Sequence, residues 1–255
     1  MAQMLQDKLV LVTGAGSGIG KVVCQRFAEL GAVVVCVDIN KEPNDTTCAE
    51  INVNESSTNK GKHLAVAIDV SQRAQVESLR DEVQAQFGRA PSGVVHCAGV
   101  DARVESLQAL DERSWDATVD VNLKGTFLVT KTFTDAMLEQ RIRGSVVNTS
   151  SIIGKCGIGP TDYCASKAGV IGLSKSAAYQ LATSGIRVNT VLPGYIKTPM
   201  TDCGTEEHRQ FVLSMTPMKR IGEPREVADA CAFLVSDMST YVTGIALEVA
   251  GGLCM

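Results

Sequence analysis

The chain reads as an open α/β fold: a doubly wound parallel sheet with helices on both faces, one domain over residues 1–255, and a lid after the sixth strand at 193–223. Three observations predict it. Short β-branched runs alternate with amphipathic stretches, the runs are almost continuously apolar, as strands covered on both faces must be, and the first run passes through a glycine-rich turn into the first helical stretch. Strands are expected at Leu9–Thr13, Ala32–Ile39, Leu64–Val70, Gly93–Cys97, Ser145–Thr149, Arg187–Leu192 and Ala246–Val249, and helices near 19–30, 72–87, 111–139, 161–182 and 224–236. Such alternation implies right-handed crossovers. Asn52–Lys62 is polar and turn-rich, an excursion before the third strand. From Pro193 to Pro224 no strand or helix is evident. That segment follows a strand C-terminus, where open sheets bind ligands, and its length marks it as a binding lid.

Composition bounds the partners. Of 255 residues, 45% are hydrophobic and 20% charged, an ordinary globular balance able to bury a full core. A net charge of −4 and a pI near 5.5 argue against a nucleic-acid or anionic-membrane surface. No apolar run approaches the ~18 residues of a membrane span. Met1–Lys8 carries neither a secretory core nor an Arg-rich presequence, so a reducing, cytoplasmic setting is expected from these features alone. The nine cysteines are scattered, Cys24, Cys36, Cys97 and Cys231 among them in apolar segments, and read as packed, reduced thiols. His63, His96 and His208 are equally dispersed, so neither a metal site nor a Ser–His triad is expected.

Gly14, Ser17, Gly18, Ile19 and Gly20 lie in the turn between the first strand and helix. Glycines there let the backbone approach a pyrophosphate, and a helix N-terminus offers it unpaired N–H groups; the alternative is a plain tight turn. Asp38-Ile39 ends the second strand, where a carboxylate accepts ribose hydroxyls and repels a 2′-phosphate, which favours NAD over NADP; the alternative is a helix-capping role. Asp69-Val70 ends the third strand, placed to meet an adenine edge, and the small residues Cys97-Ala98-Gly99 let a cofactor pass the end of the fourth. Tyr163 and Lys167 are one helical turn apart, so they share a face, although exposed helices also carry this spacing by chance. An ammonium beside a phenol favours phenolate and fits the pair for proton exchange with an alcohol oxygen.

Together, Thr13-Gly14 through Gly20, Asp69-Val70, Asn122, Ser150-Ser151, Tyr163/Lys167 and Pro193-Gly194 resemble the short-chain dehydrogenase/reductase family over Leu9 to Gly252. The resemblance implies a Rossmann-type subunit moving hydride between a nicotinamide and an alcohol or carbonyl carbon. It implies Tyr163 as acid/base and Lys167 as holder of the nicotinamide ribose that also lowers the tyrosine pKa. Asn122 would hold a water for a proton relay, a serine would bind the substrate oxygen, and Ile196 and Thr198 would contact the carboxamide. Ser151 is preferred to Ser150, which strand alternation turns to the other face, although Ser150 has the commoner spacing from the tyrosine. His96-Cys97 replaces a common Asn-Asn, which puts one strand-bridging interaction in doubt.

Within the family, Val121–Thr130, Ser150–Lys155, Ala168–Leu173 and Glu248–Met255 resemble the 17β-hydroxysteroid dehydrogenase type 8 group. That likeness implies NAD-linked oxidation of 17β-hydroxysteroids such as estradiol or testosterone. Alternatively it implies chemistry on 3-oxoacyl and 3-hydroxyacyl thioesters (acyl carrier protein or CoA) in mitochondrial fatty-acid synthesis. It further implies the mitochondrial matrix and a homotetramer, or a heterotetramer with a related reductase, using the helices at 111–139 and 161–182. For a steroid, the pocket wall is expected from Cys156, Ile158, Tyr195, Met200, Phe211 and Met215, unless these simply pack on the core. For an acyl carrier, Arg141 and Arg143 are the candidate docking bases, while Ser184 stands where related reductases often have a base. A catalytically silent NAD-binding partner subunit is the alternative from another class.

Overall fold

Strands that are apolar at every position have no face to give to water, so both faces must be covered by helices. The computed structural model describes residues 3–53, 59, 61–101, 106–202 and 204–255. Strands β1 (Leu9–Thr13), β2 (Val33–Asp38), β3 (Leu64–Ala67), β4 (Gly93–His96), β5 (Ser145–Thr149), β6 (Arg187–Pro193) and β7 (Ala246–Val249) form one sheet in the order β3-β2-β1-β4-β5-β6-β7. Every pairing is parallel. Successive β1 residues serve opposite layers. Val10 and Val12 pack with Val23 and Phe27 of α1 (Gly18–Glu29) and Val227 and Cys231 of α10 (Pro224–Val235). Leu9 and Leu11 pack with Val76 and Leu79 of α3 (Arg73–Phe87) and Phe133 of α5 (Gly125–Glu139). Phe27 and Phe133 are fully buried, each adding about 1.5–3 kcal/mol. The order reverses between β1 and β4, and a crevice opens there at the strand C-termini.

Four elements depart from expectation. β3 ends at Ala67 rather than Val70, because the Asp69 N–H goes to Gln75 Oε1 (2.9 Å) and the Asp69 carboxylate takes the Ser71 amide (2.9 Å). The helix read at 111–139 is α4 (Glu112–Val119), a π-helical turn (Asp120–Lys124) and α5. α2 (Lys41–Val53) was not expected, because half of its buried face is polar: Asn44 and Thr47 beside Cys48 and Ile51. Asn44 Nδ2 there donates to the carbonyls of Cys36 (3.0 Å) and Val66 (3.1 Å). The polar stretch read at 52–62 lies largely outside the described residues.

The region 193–223 is not without helices. It contains α8 (Pro199–Asp202) and α9 (Glu206–Met215). The Thr205 hydroxyl caps α9 by accepting from His208 N (3.2 Å), and Glu206 and Glu207 complement its N-terminus.

Candidate active site

The C-terminal ends of β1 to β6 frame a cleft of about 340 Å³ running from Asp38 to Tyr163. Its floor is the β1–α1 turn. Gly14 (φ +70°) lies under the end of β4, where an added Cβ would stand 2.8 Å from Ala98 N, and one on Gly20 would collide with the Gly14 carbonyl. Ser17 leads into α1 without capping it, so among the described residues the amides of Gly18 and Ile19 find no acceptor and open to the cleft. Asp38 Oδ2 accepts from Gly16 N (2.9 Å) and Oδ1 from Asn40 N (2.9 Å). The carboxylate thus braces the glycine turn and the turn that leads into α2. Ile39, Asp69, Val70, Cys97, Ala98 and Gly99 continue the wall, with Ile196 and Thr198 opposite. Thr201 Oγ1 fastens that far side, donating to Ile196 O (2.6 Å) and accepting from Thr198 N (3.0 Å).

At the other end α7 (Thr161–Leu181) delivers Tyr163 and Lys167. Lys167 is buried (4% exposed) and its Nζ donates to Thr149 O (3.1 Å), 5.5 Å from the centre of the Tyr163 ring. Two of its N–H donors remain for a ligand's hydroxyls. Gly99 makes room for it: a Cβ there would crowd Lys167 Nζ and Asn122 Oδ1 at 3.2 Å. Ser151 faces the Tyr163 side chain across the cleft wall and favours its ionised form, whereas Ser150 turns behind the wall and donates to Lys167 O (2.7 Å). Free amides at a helix N-terminus, an acidic residue at the end of β2 and a diol-reaching ammonium fit a nicotinamide dinucleotide.

Burial holds the Lys167 ammonium down to about 8, with Cys97 pulling weakly the other way. Tyr163 keeps one edge on the cleft, but desolvation of its hydroxyl pushes the phenol above its ordinary value; the Asp101 charge adds to this and Ser151 opposes it. The phenol is thus raised, where lowering by Lys167 was expected, because both groups lose water and each favours its neutral form.

Asn122 sits in the π turn one layer behind the cleft and is fully buried. Its Oδ1 accepts from Val100 N (2.8 Å), and its Nδ2 donates to Val100 O (2.9 Å) and Ser166 Oγ (3.1 Å). The strand bridge that His96-Cys97 put in doubt is made by other atoms: Thr13 Oγ1 pairs with His96 Nδ1 (2.8 Å), and Thr149 Oγ1 donates to Cys97 Sγ (3.4 Å).

Two expectations need correction. Of the six proposed apolar wall residues only Met200 lines the cleft. Ile158 and Phe211 are more than half exposed, Tyr195 and Met215 pack in a cluster with Ile152 and Leu253, and Cys156 of α6 (Ile153–Cys156) contacts Cys254. Arg141 and Arg143 precede β5, at the end of the sheet opposite the cleft, where Arg143 packs on Gly185. Sequence reasoning missed Thr149, whose part is a backbone carbonyl any residue supplies, and Asp101, whose nearness to Tyr163 follows no spacing rule. Thr201 was detectable as a hydroxyl near the start of a short helix.

A parallel sheet in this order, with a dinucleotide cradle meeting a Ser–Tyr–Lys cluster, defines an oxidoreductase of the dehydrogenase/reductase class. A family model described as enoyl-(acyl carrier protein) reductase matches residues 14–254. The chain is 48% identical over 254 residues to the (3R)-3-hydroxyacyl-CoA dehydrogenase of Mus musculus, covering 98% of each. It is 44% identical over 250 residues to a 3-oxoacyl-(acyl-carrier-protein) reductase of Thermotoga maritima, again covering 98% of each. A solved 3-oxoacyl-(acyl-carrier protein) reductase from Brucella melitensis with bound NAD superposes with a TM-score of 0.87 at 36% identity, covering 100% of this chain and 94% of that one. The protein belongs to the short-chain dehydrogenase/reductase family.

Proposed function

We propose that the protein interconverts (3R)-3-hydroxyacyl and 3-oxoacyl thioesters, with NAD in preference to NADP. The observation that carries this reading is one continuous cleft joining the Asp38 end to Ser151, Tyr163 and Lys167, in a chain alike along its whole length to enzymes named for that substrate class. NAD when bound supplies the acceptor for hydride leaving C3 of the hydroxyacyl group. Ser151 and Tyr163 hold the C3 oxygen, and Tyr163 removes its proton in oxidation or returns it in reduction. Ser151 also stabilises charge that develops on that oxygen. Lys167 holds the ribose hydroxyls, and Asn122 keeps Val100 and Ser166 in register behind Tyr163, on the path of a proton relay. With its phenol raised, Tyr163 is protonated at neutral pH and ready to donate, so oxidation gains with rising pH. The hydroxysteroid reading has less support: the wide apolar slot it needs is not assembled, since five of its six expected wall residues lie elsewhere.

The test is NAD(H) turnover with 3-oxoacyl-CoA, 3-hydroxyacyl-CoA, acyl-carrier thioesters, estradiol and testosterone. Thioesters are expected to be turned over in both directions, and Tyr163→Phe to lower kcat by ~10²–10⁴-fold. Steroid turnover without thioester turnover overturns the substrate, and full activity of Tyr163→Phe overturns the mechanism.

A further inference from the structure

We propose that Cys156 and Cys254 form a reversible disulfide that fastens the C-terminal segment to the loop carrying Ser151 and slows turnover. The two sulfur atoms lie 2.7 Å apart, far apart in sequence and both unbonded thiols. Closing to a ~2.05 Å bond takes a shift well under an ångström. Both residues are partly exposed, so a small oxidant reaches them. The other touching thiols, Cys24, Cys36 and Cys48, are buried in the core and shielded from it.

Independent features hold the two segments together. Lys155, next to Cys156, pairs with Glu248 of β7 at 2.6 Å. Gly251 and Gly252 turn the tail back, and Cys254 itself has φ +61°, a left-handed conformation that few non-glycine residues adopt and that its surroundings must maintain. The consequence for activity comes from what lies beneath. Ile152 and Ile153, directly after Ser151, share one apolar cluster with Leu253 of the tail, Val212 and Met215 of α9, and Tyr195. This cluster seats the segment that follows Ser151, so a covalent link from tail to α6 stiffens the position of Ser151.

The oxidant is a small-molecule disulfide such as oxidised glutathione. Burial, with Cys156 contributing, raises the Cys254 thiol, which slows its attack in the second step, and its place 2.7 Å from the Cys156 sulfur offsets this. The Cys156 thiolate attacks one glutathione sulfur and expels a glutathione thiolate. Cys254 then attacks the Cys156 sulfur of the mixed disulfide and expels the second. Two protein thiols are oxidised, one disulfide is reduced, and the two protons leave on the two glutathione thiols.

The full-length protein is incubated with oxidised glutathione or dithiothreitol, followed by non-reducing peptide mass mapping, thermal unfolding and 3-oxoacyl-CoA turnover. A cross-linked peptide joining Cys156 and Cys254, lighter by two hydrogens, is expected. With it, Tm rises by roughly 10 °C and kcat falls on the order of tenfold, all reversed by dithiothreitol and all absent in C254S. Absence of the cross-link, a cross-linked form with undiminished kcat, or the same loss in C254S overturns the proposal. Mapping and unfolding need no substrate, so these outcomes are separable from an error in the assigned reaction.

Discussion

The Asp38 carboxylate takes the Gly16 amide through one oxygen and the Asn40 amide through the other, both at 2.9 Å, so the residue proposed to meet the adenosine ribose also braces the glycine turn. Two variants separate these roles. Asp38→Asn keeps an acceptor for Gly16 but removes the charge, and is expected to cut discrimination against NADP by about 10–100-fold, the worth of one charged hydrogen-bond partner. Asp38→Ala removes both and also raises KM for NAD. Steady-state kinetics with the two dinucleotides measure this, and unchanged discrimination in both variants rejects the role. Residues of this kind were legible because strand ends and one-turn spacings are local: Asp38 closes a strand, and Tyr163 and Lys167 share a helix face. Ser151 was separable from Ser150 by strand alternation. The phenol's raised affinity for its proton was not legible, since it depends on how much water the folded wall removes and on Asp101, brought near from another strand end.

The π turn Asp120–Lys124 is a bulge inside a helical stretch that runs unbroken from Glu112 to Glu139, as its continuous pattern predicts. Widening the helix by one residue turns the Asn122 side chain inward, where it ties the Val100 segment to Ser166 of α7. Asn122→Ala removes a fully buried amide and leaves the part-buried amide and carbonyl of Val100 without these partners. Stability is expected to fall by about 3 kcal/mol and Tm by roughly 6–12 °C, with kcat falling as Val100 and Ser166 lose their common anchor. Calorimetry alongside turnover checks it, and an unmoved Tm shows that the bridge contributes nothing. Elements failed to declare themselves where polarity hid their buried face: α2 packs Asn44 and Thr47 inward, and their hydrogen bonds do what apolar burial does elsewhere. In α9 the Thr205 cap and the acidic first turn were visible, but the surrounding prolines and glycines masked them.

Across the molecule, two histidines buried at opposite ends of β2 and β1 link stability to pH. Burial lowers His63 to about 4 and His96 to about 3, the latter also beside Lys167, against an ordinary value of 6.5. Both are neutral when folded, so the unfolded chain binds more protons below 6.5. Their contribution is complete above that pH and drains away as pH falls, at ~1.4 kcal/mol per unit for each histidine. Between about 4 and 6.5 both act. Urea unfolding at pH 7 and pH 5 measures the slope, which His96→Asn is expected to reduce by about one proton; an unchanged slope excludes His96 as a contributor. The positions of the strands, the dinucleotide turn, the class of chemistry and the Tyr163–Lys167 pair were determined by local patterns, because strand period, helix period and turn chemistry are written within a few neighbouring residues. Only the folded chain decided that Tyr195, Phe211 and Met215 turn away from the cleft, that Arg143 lies at the far end of the sheet, and that Cys254 meets Cys156. Those outcomes depend on register and packing between segments distant along the chain, and no local pattern carries that information.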